Sequence, residues 1–287
     1  MRHMAPSSGM PNFFTSLLAP ANRVLLIGVA VALIVLSVWT ALTPAGILGK
    51  ADAVGYAVCH RITIRSFATS DNRQLAMCAR CTGMFLGVLI GLFGPALVLG
   101  RKRMGLFPTI PMIVVMLLFS AAWAFDGANS YTFLMPPGVP HLYTPSNPLR
   151  LITGMAHGIT MGSLLLPVIN SMLWDDVKQE PTMDKAWHLL VLLGIGAAVC
   201  VMVLTELDIF LYPLGILSAV GVVTILSAIN TVVITSLAKR ENKAHTLMDA
   251  LPMMVLGLVA CFLLIGGIDL LRFLATGTWD GFISPPV

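Results

Sequence analysis

Residues 78–100 read CARCTGMFLGVLIGLFGPALVLG. Two cysteines three positions apart open onto an uncharged run, Cys81 to Gly100. Wound as a helix rising ~1.5 Å per residue, a run of that length crosses a hydrocarbon layer ~30 Å thick. The same few residues decide the fold and mark where chemistry can gather, because the thiols stand at the mouth of a membrane helix.

Outward from this stretch the pattern repeats. Apolar runs lie at about Arg23–Leu42, Pro108–Phe125, Leu151–Trp174, Trp187–Leu207, Pro213–Leu237 and Leu251–Leu274. The chain is 57% hydrophobic and 10% charged, whereas about a quarter of a soluble domain is charged. These features predict an all-α polytopic transmembrane helix bundle of about seven spans, with an irregular first loop bearing Cys and His. Its surroundings are the lipid bilayer. The net charge of +4 belongs to Lys and Arg flanking the spans and gives no nucleic-acid surface. Ala51-Asp52-Ala53 resembles a signal-peptidase site. The apolar stretch before it is too long for a signal peptide, so the first span is read as a retained helix.

Cytoplasmic loops collect Lys and Arg. The N-terminal tail through Arg23 and the loops after spans two, four and six carry ten of them; the remaining loops and the C-terminal tail carry seven. Five of those seven, Lys50, Arg61, Arg65, Arg73 and Arg80, lie in the cysteine-bearing loop. With that loop set aside the ratio is ten to two. The expectation is a multi-pass protein of the cell membrane with a cytoplasmic N-terminus and an extracytoplasmic Cys/His loop. Polar groups near membrane depth face a protein interior or a cavity. Several fall on the outer side, among them Asp126, Asn147, Arg150, Glu206, Asp208, Asp269 and Arg272, which implies one polar pocket there.

The chemistry-bearing residues are Cys59, His60, Cys78 and Cys81. Cys200 and Cys261 sit inside apolar spans and read as small packing residues. At a helix N-terminus the dipole and nearby arginines favour thiolate. A thiolate ligates soft metals and also attacks disulfides. The metal reading takes the three thiols with His60 or a distant group as fourth ligand, and favours zinc, or alternatively iron. The redox reading makes Cys78 and Cys81 a reversible pair in a thiol-disulfide or quinone-linked oxidoreductase. The plainest reading is a metal or disulfide clip that pins the first loop to the bundle.

Asp126, Asn147, Arg150 and His157 are the candidates for cofactor binding. Each also has a structural reading: Arg150 pairs with Asp126, Ser146 or Asn147 caps a helix with Pro148 in its first turn, and His157 packs between helices. Gly154, Gly158 and Gly162 recur every four residues and let a neighbouring helix approach closely. Asp269 and Arg272 share a helix face. Glu206 and Asp208 read as turn carboxylates, and Asp175 to Glu180 as a solvated connector. The chain has no P-loop, dinucleotide glycine fingerprint, HExxH or GxSxG motif, which argues against the chemistries that these motifs carry.

The stretch Cys59-His60-Arg61-Ile62-Thr63-Ile64-Arg65-Ser66-Phe67, followed by Cys78-Ala79-Arg80-Cys81-Thr82-Gly83, resembles the DUF2085 family of membrane proteins. Asp126-Gly127 and Ser146-Asn147-Pro148-Leu149-Arg150 with Thr153-Gly154 are similar to its second block. Thr63, Ala76-Met77 and Phe85 depart from its usual residues, and no departure removes a thiol. The resemblance implies that these residues work together; it supplies no reaction. It divides the chain into a tail (1–21), a DUF2085-like core (22–165) and additional helices of the same membrane domain (166–287). The leading expectation is a metal site organising the outer pocket of a structural or accessory subunit in a larger membrane assembly.

Overall fold

A computed structural model describes residues 20–133 and 142–280. Among them run eight α-helices: α1 Pro20–Leu42, α2 Gly46–Val58, α3 Ala79–Leu97, α4 Ile110–Thr132, α5 Asn147–Leu173, α6 Ala186–Leu204, α7 Asp208–Leu237 and α8 Leu247–Thr276. All but α2 are long and apolar enough to cross a bilayer, seven in total. The expected all-α bundle of seven spans is therefore present. The N-terminal tail before residue 20, and Pro136, Pro137, Pro140 and His141 in the loop after α4, lie outside the described residues.

The tightest packing joins α3 to α5. Gly83, Gly87 and Gly91 face Gly154, Gly158 and Gly162. A Cβ on Gly154 would overlap the Arg80 carbonyl oxygen, one on Gly158 that of Met84, and one on Gly87 that of Met155. Backbones this close replace the hydrophobic drive that is missing between helices in lipid. The anticipated small-residue stripe thus has a matching stripe opposite it. Together they set the start of α3, with its cysteines, beside the start of α5.

Contacts between loops define two faces. On one, β1 (Met104–Leu106) pairs in parallel with β2 (Lys178–Pro181), and Trp174 bridges to Ala244. The segment Asp175–Glu180, expected to be a solvated connector, is thus tied down by backbone hydrogen bonds. On the other face the loops after α1, α4 and α6 meet: Arg65 donates to the Ser130 carbonyl at 2.6 Å, and the Ser70 amide donates to Asp208 Oδ1 at 2.9 Å. Asp208 is therefore a docking point for the first loop as well as a turn carboxylate.

Several boundaries differ from the sequence reading. The first loop opens with helix α2, whose Lys50 and Asp52 make it too polar and too short to register as a span. Helix α4 continues to Thr132, so Asp126 and Asn129 stand on its last two turns and not in the loop. Hydrogen-bond partners make this possible: Arg80 and Tyr143 for Asp126, and the Leu142 amide and Tyr143 carbonyl for Asn129. Helix α7 begins at Asp208, with Pro213 accommodated inside it. Ser146 caps α5 by accepting from the Leu149 amide at 3.4 Å, with Pro148 in the first turn, as expected.

Candidate metal centre

Cys59 is the C-cap of α2, Cys78 the N-cap of α3, and Cys81 sits in the first turn of α3. Gly55 brings the first to the others: a Cβ there would overlap the Ala76 carbonyl oxygen, so only glycine lets α2 lie against the segment leading into Cys78. The three sulfurs lie within 4.8 Å of one another. All five cysteines stand as thiols.

Backbone geometry serves the sulfur of Cys59. Its Sγ accepts from the Cys78 amide at 3.3 Å and the Arg61 amide at 3.4 Å. The second bond needs a sharp reversal after His60, and Arg61 supplies it with φ +53°, a strained conformation for a residue with a side chain. The Arg61 side chain repays that strain by donating to Asp52 Oδ1 at 3.2 Å and the Trp279 carbonyl at 3.3 Å. Arg73 also binds Asp52, at 2.6 Å. Burial nonetheless raises the Asp52 carboxyl above the usual range, with the two arginines opposing.

Hydrogen bonds from Cys59 and then Cys81 hold the Cys78 thiol well below its ordinary range, with Arg80 adding a smaller pull. Cys59 is pushed up to about 11, first by its hydrogen bond to Cys78. Cys78 is therefore the first thiolate of the set. Three sulfurs, one of them the readiest thiolate and another receiving two amides, suit a soft divalent cation. An ion bonded to sulfur at ~2.3 Å would draw the three to ~3.8 Å apart. His60, the next residue, is exposed; among the described residues the close cluster consists of the three sulfurs.

Beside this centre lies a polar cluster between α3, α4 and α5. Arg80 pairs with Asp126, which is 1% exposed, and donates to Ser130 Oγ at 2.9 Å. Tyr143 donates to Asp126 Oδ1 at 2.7 Å. Asp126 thus pairs with Arg80 instead of the expected Arg150, which donates to Asn147 Oδ1 at 2.8 Å. Of the other candidates, Asn147 reaches the first loop through the Ile64 carbonyl at 3.4 Å. His157 lies deeper between α4 and α5, stacked on Trp123 with centroids 4.3 Å apart and with Nδ1 3.0 Å from Ser120 Oγ.

The final helix closes the site from the far side. Arg272 donates to the carbonyls of Tyr56 and Cys59. Asp269 accepts from Trp39 Nε1 at 3.0 Å, so the two residues of that helix serve different parts of the bundle. Gly55, Arg65 and Tyr143 are not marked as site residues by their local sequence, apart from the positive charge of Arg65 in a polar loop. Arg272 is expected in the outer pocket, but its bond to Cys59 is not.

Residues 59–164 match the family described as "Predicted membrane protein (DUF2085)". That stretch of the chain is therefore similar to DUF2085. A relative from Methanocaldococcus jannaschii, "Uncharacterized protein MJ1492", is 29% identical over 126 residues, which cover 44% of this chain and 72% of the relative. No solved structure matches the chain. The matched segment starts at Cys59 and holds all three clustered thiols and the Asp126–Arg150 region; α6, α7 and α8 lie beyond it.

Proposed function

We propose that Cys59, Cys78 and Cys81 bind one zinc ion (iron is the alternative), with His60 or a more distant group as fourth donor, on the outer face of the cell membrane. The carrying observation is the sulfur cluster within 4.8 Å whose most buried member accepts two backbone amides. Amide donors to a sulfur stabilise its thiolate form and thereby its bond to a metal. When bound, the ion cross-links the end of α2 to the start of α3 and neutralises thiolate charge near the bilayer.

In this reading the ion organises a polar pocket formed by Asp126, Asn147 and Arg150, while His157 serves the α4–α5 contact. The protein is an accessory subunit of a larger membrane assembly. Helices α1 and α4 support that role, since they bury the least of any span and leave broad apolar flanks for lipid or for another subunit.

One observation favours a second reading. The lowered Cys78 thiol is a competent nucleophile beside Cys81. As a dithiol, the pair would lose two electrons and two protons to a quinone, giving a disulfide and a quinol. Metal analysis of the purified protein separates the two readings. One zinc or iron per chain, lost in the Cys78→Ser Cys81→Ser variant, supports the first. Metal-free protein with a reducible Cys78–Cys81 bond overturns it and leaves the second.

A further inference from the structure

The outer mouth of α3, α4 and α5 gathers more positive charge than the chain answers. Arg65, Arg80 and Arg150 converge there. Arg65 donates to the carbonyl of Ser130 at 2.6 Å and Arg80 to the hydroxyl of the same residue at 2.9 Å. Asn147, the acceptor for Arg150, donates in turn to the carbonyl of Ile64, the residue before Arg65. Against three guanidinium groups stands one carboxylate, Asp126, held by Arg80. Arg150 is 6% exposed, bonds a neutral amide, and has an Nε without a partner among the described residues. The Arg80 Nε is likewise buried without one.

The chain has no acid to spare for them. Asp52 serves Arg61 and Arg73, Asp71 serves Thr69 and Tyr212, and Asp208 serves Ser70. Asp269 serves Trp39 and Asp280 serves Thr278, while Glu206 is exposed on the turn before α7. Residues 134–141, LMPPGVPH, contain neither Asp nor Glu. Even a dication held by three thiolates leaves a single negative charge, so with Asp126 two negatives face three guanidiniums. A buried guanidinium without a counter-ion is costly.

We propose that Arg65, Arg80, Arg150 and Asn147 form a binding site for a phosphate-type oxyanion, either free or on a lipid headgroup. Guanidinium forks match the spacing of phosphate oxygens, and three of them suit a group with more acceptors than a carboxylate has. The site deepens the pocket reading above and does not depend on the metal.

The test uses the full-length protein in uncharged detergent at constant ionic strength, with metal content measured on every sample. One arm titrates inorganic phosphate against chloride. The other adds phosphatidylglycerol against phosphatidylcholine. Saturable binding in either arm raises the melting temperature by about 3 °C, and the responding arm identifies the source. Arg65→Gln and Arg150→Gln abolish the rise while metal content stays unchanged; Lys243→Gln, on the opposite face, retains it. Cys78→Ser loses the metal and keeps the rise. If Arg150→Gln fails to fold, the half-buried Arg65→Gln carries the test. No saturable rise in either arm, or an Arg65→Gln variant that responds like the parent, overturns the proposal.

Discussion

Arg272, one turn from the end of α8, donates to the carbonyl oxygen of Cys59 at 2.7 Å, across 213 positions of sequence. It also donates to the Tyr56 carbonyl, and its guanidinium lies 3.9 Å over the Tyr56 ring. Helix α2 ends at these carbonyls, and the end of a helix carries unsatisfied acceptors and partial negative charge. A cation there fixes the direction in which Cys59 leaves the helix. Arg272→Ala should cost about 2 kcal/mol, the scale of a charged hydrogen bond plus a ring contact. Melting temperature and the rate of metal loss to a chelator check this: the variant melts lower and releases metal faster, and Arg272→Lys recovers part of both.

The α3–α5 contact makes a sharper prediction. Gly158→Ala places a methyl on the Met84 carbonyl oxygen, a backbone atom that cannot move aside. Overpacking of this kind costs about 1–3 kcal/mol or more. Gly194 is also helical, and a Cβ there meets nothing within 4 Å. Gly158→Ala should therefore melt well below the parent protein, while Gly194→Ala should match it. Equal melting of the two variants would show that the helices do not touch along this stripe.

Asp126 is almost wholly buried and holds both Arg80 and Tyr143. Removing its charge leaves Arg80 buried without a carboxylate, at a cost of about 3–5 kcal/mol. It also releases Tyr143, whose phenol is pushed up to about 12 by burial and then by the hydrogen bond to Asp126. The raised value means that the folded state favours the neutral phenol. The associated stability is present below the ordinary value near 10 and is lost as pH rises through about 12. In Asp126→Asn the late tyrosinate step should move to lower pH, read by near-ultraviolet absorbance with Tyr143→Phe as the assignment control.

Cys78 and Cys59 should differ in reactivity once metal is removed. The Cys78 thiol is held well below its ordinary range, so it ionises at lower pH than a free thiol. Cys59, pushed up to about 11, stays protonated until strongly alkaline pH. Iodoacetamide labelling followed by mass spectrometry should modify Cys78 first. Its rate should level off below the pH of about 8.5 at which a free thiol is half ionised. Metal-loaded protein should resist labelling at both positions.

The spans were legible because lipid imposes one pattern, an uncharged run of fixed length, and the chain repeats it seven times. The cysteine cluster was legible because Cys59 and the Cys78/Cys81 pair share one polar loop. The glycine stripe on α5 could be read; its partner was not, because Gly83, Gly87 and Gly91 acquire meaning only once the two helices face each other. Pairings across loops were illegible for a related reason. Arg80 and Arg150 are equally plausible partners for Asp126 in sequence, and the α3–α5 register selects Arg80. The bracing by Arg272 spans nearly the whole chain, and no local feature announces it.

The proposed orientation is tested on the two faces. The first loop, through Arg65 and Ser70, contacts the end of α4 at Ser130 and the start of α7 at Asp208, and the connections containing β1, β2 and Ala244 contact one another; the chain therefore alternates sides as seven spans require. The second face carries Arg101, Lys102, Arg103, Lys178, Lys185, Lys239, Arg240 and Lys243. The expectation is that this face lies in the cytoplasm, because translocating these cations during insertion is disfavoured. Lys243 is exposed on this face, so Lys243→Cys offers a thiol that a membrane-impermeant maleimide should reach only after the cells are opened. A cysteine at Ser70, on the face of the thiol cluster and also exposed, should label in intact cells. Labelling of the first and protection of the second would invert the protein and place the thiol cluster in the reducing cytoplasm.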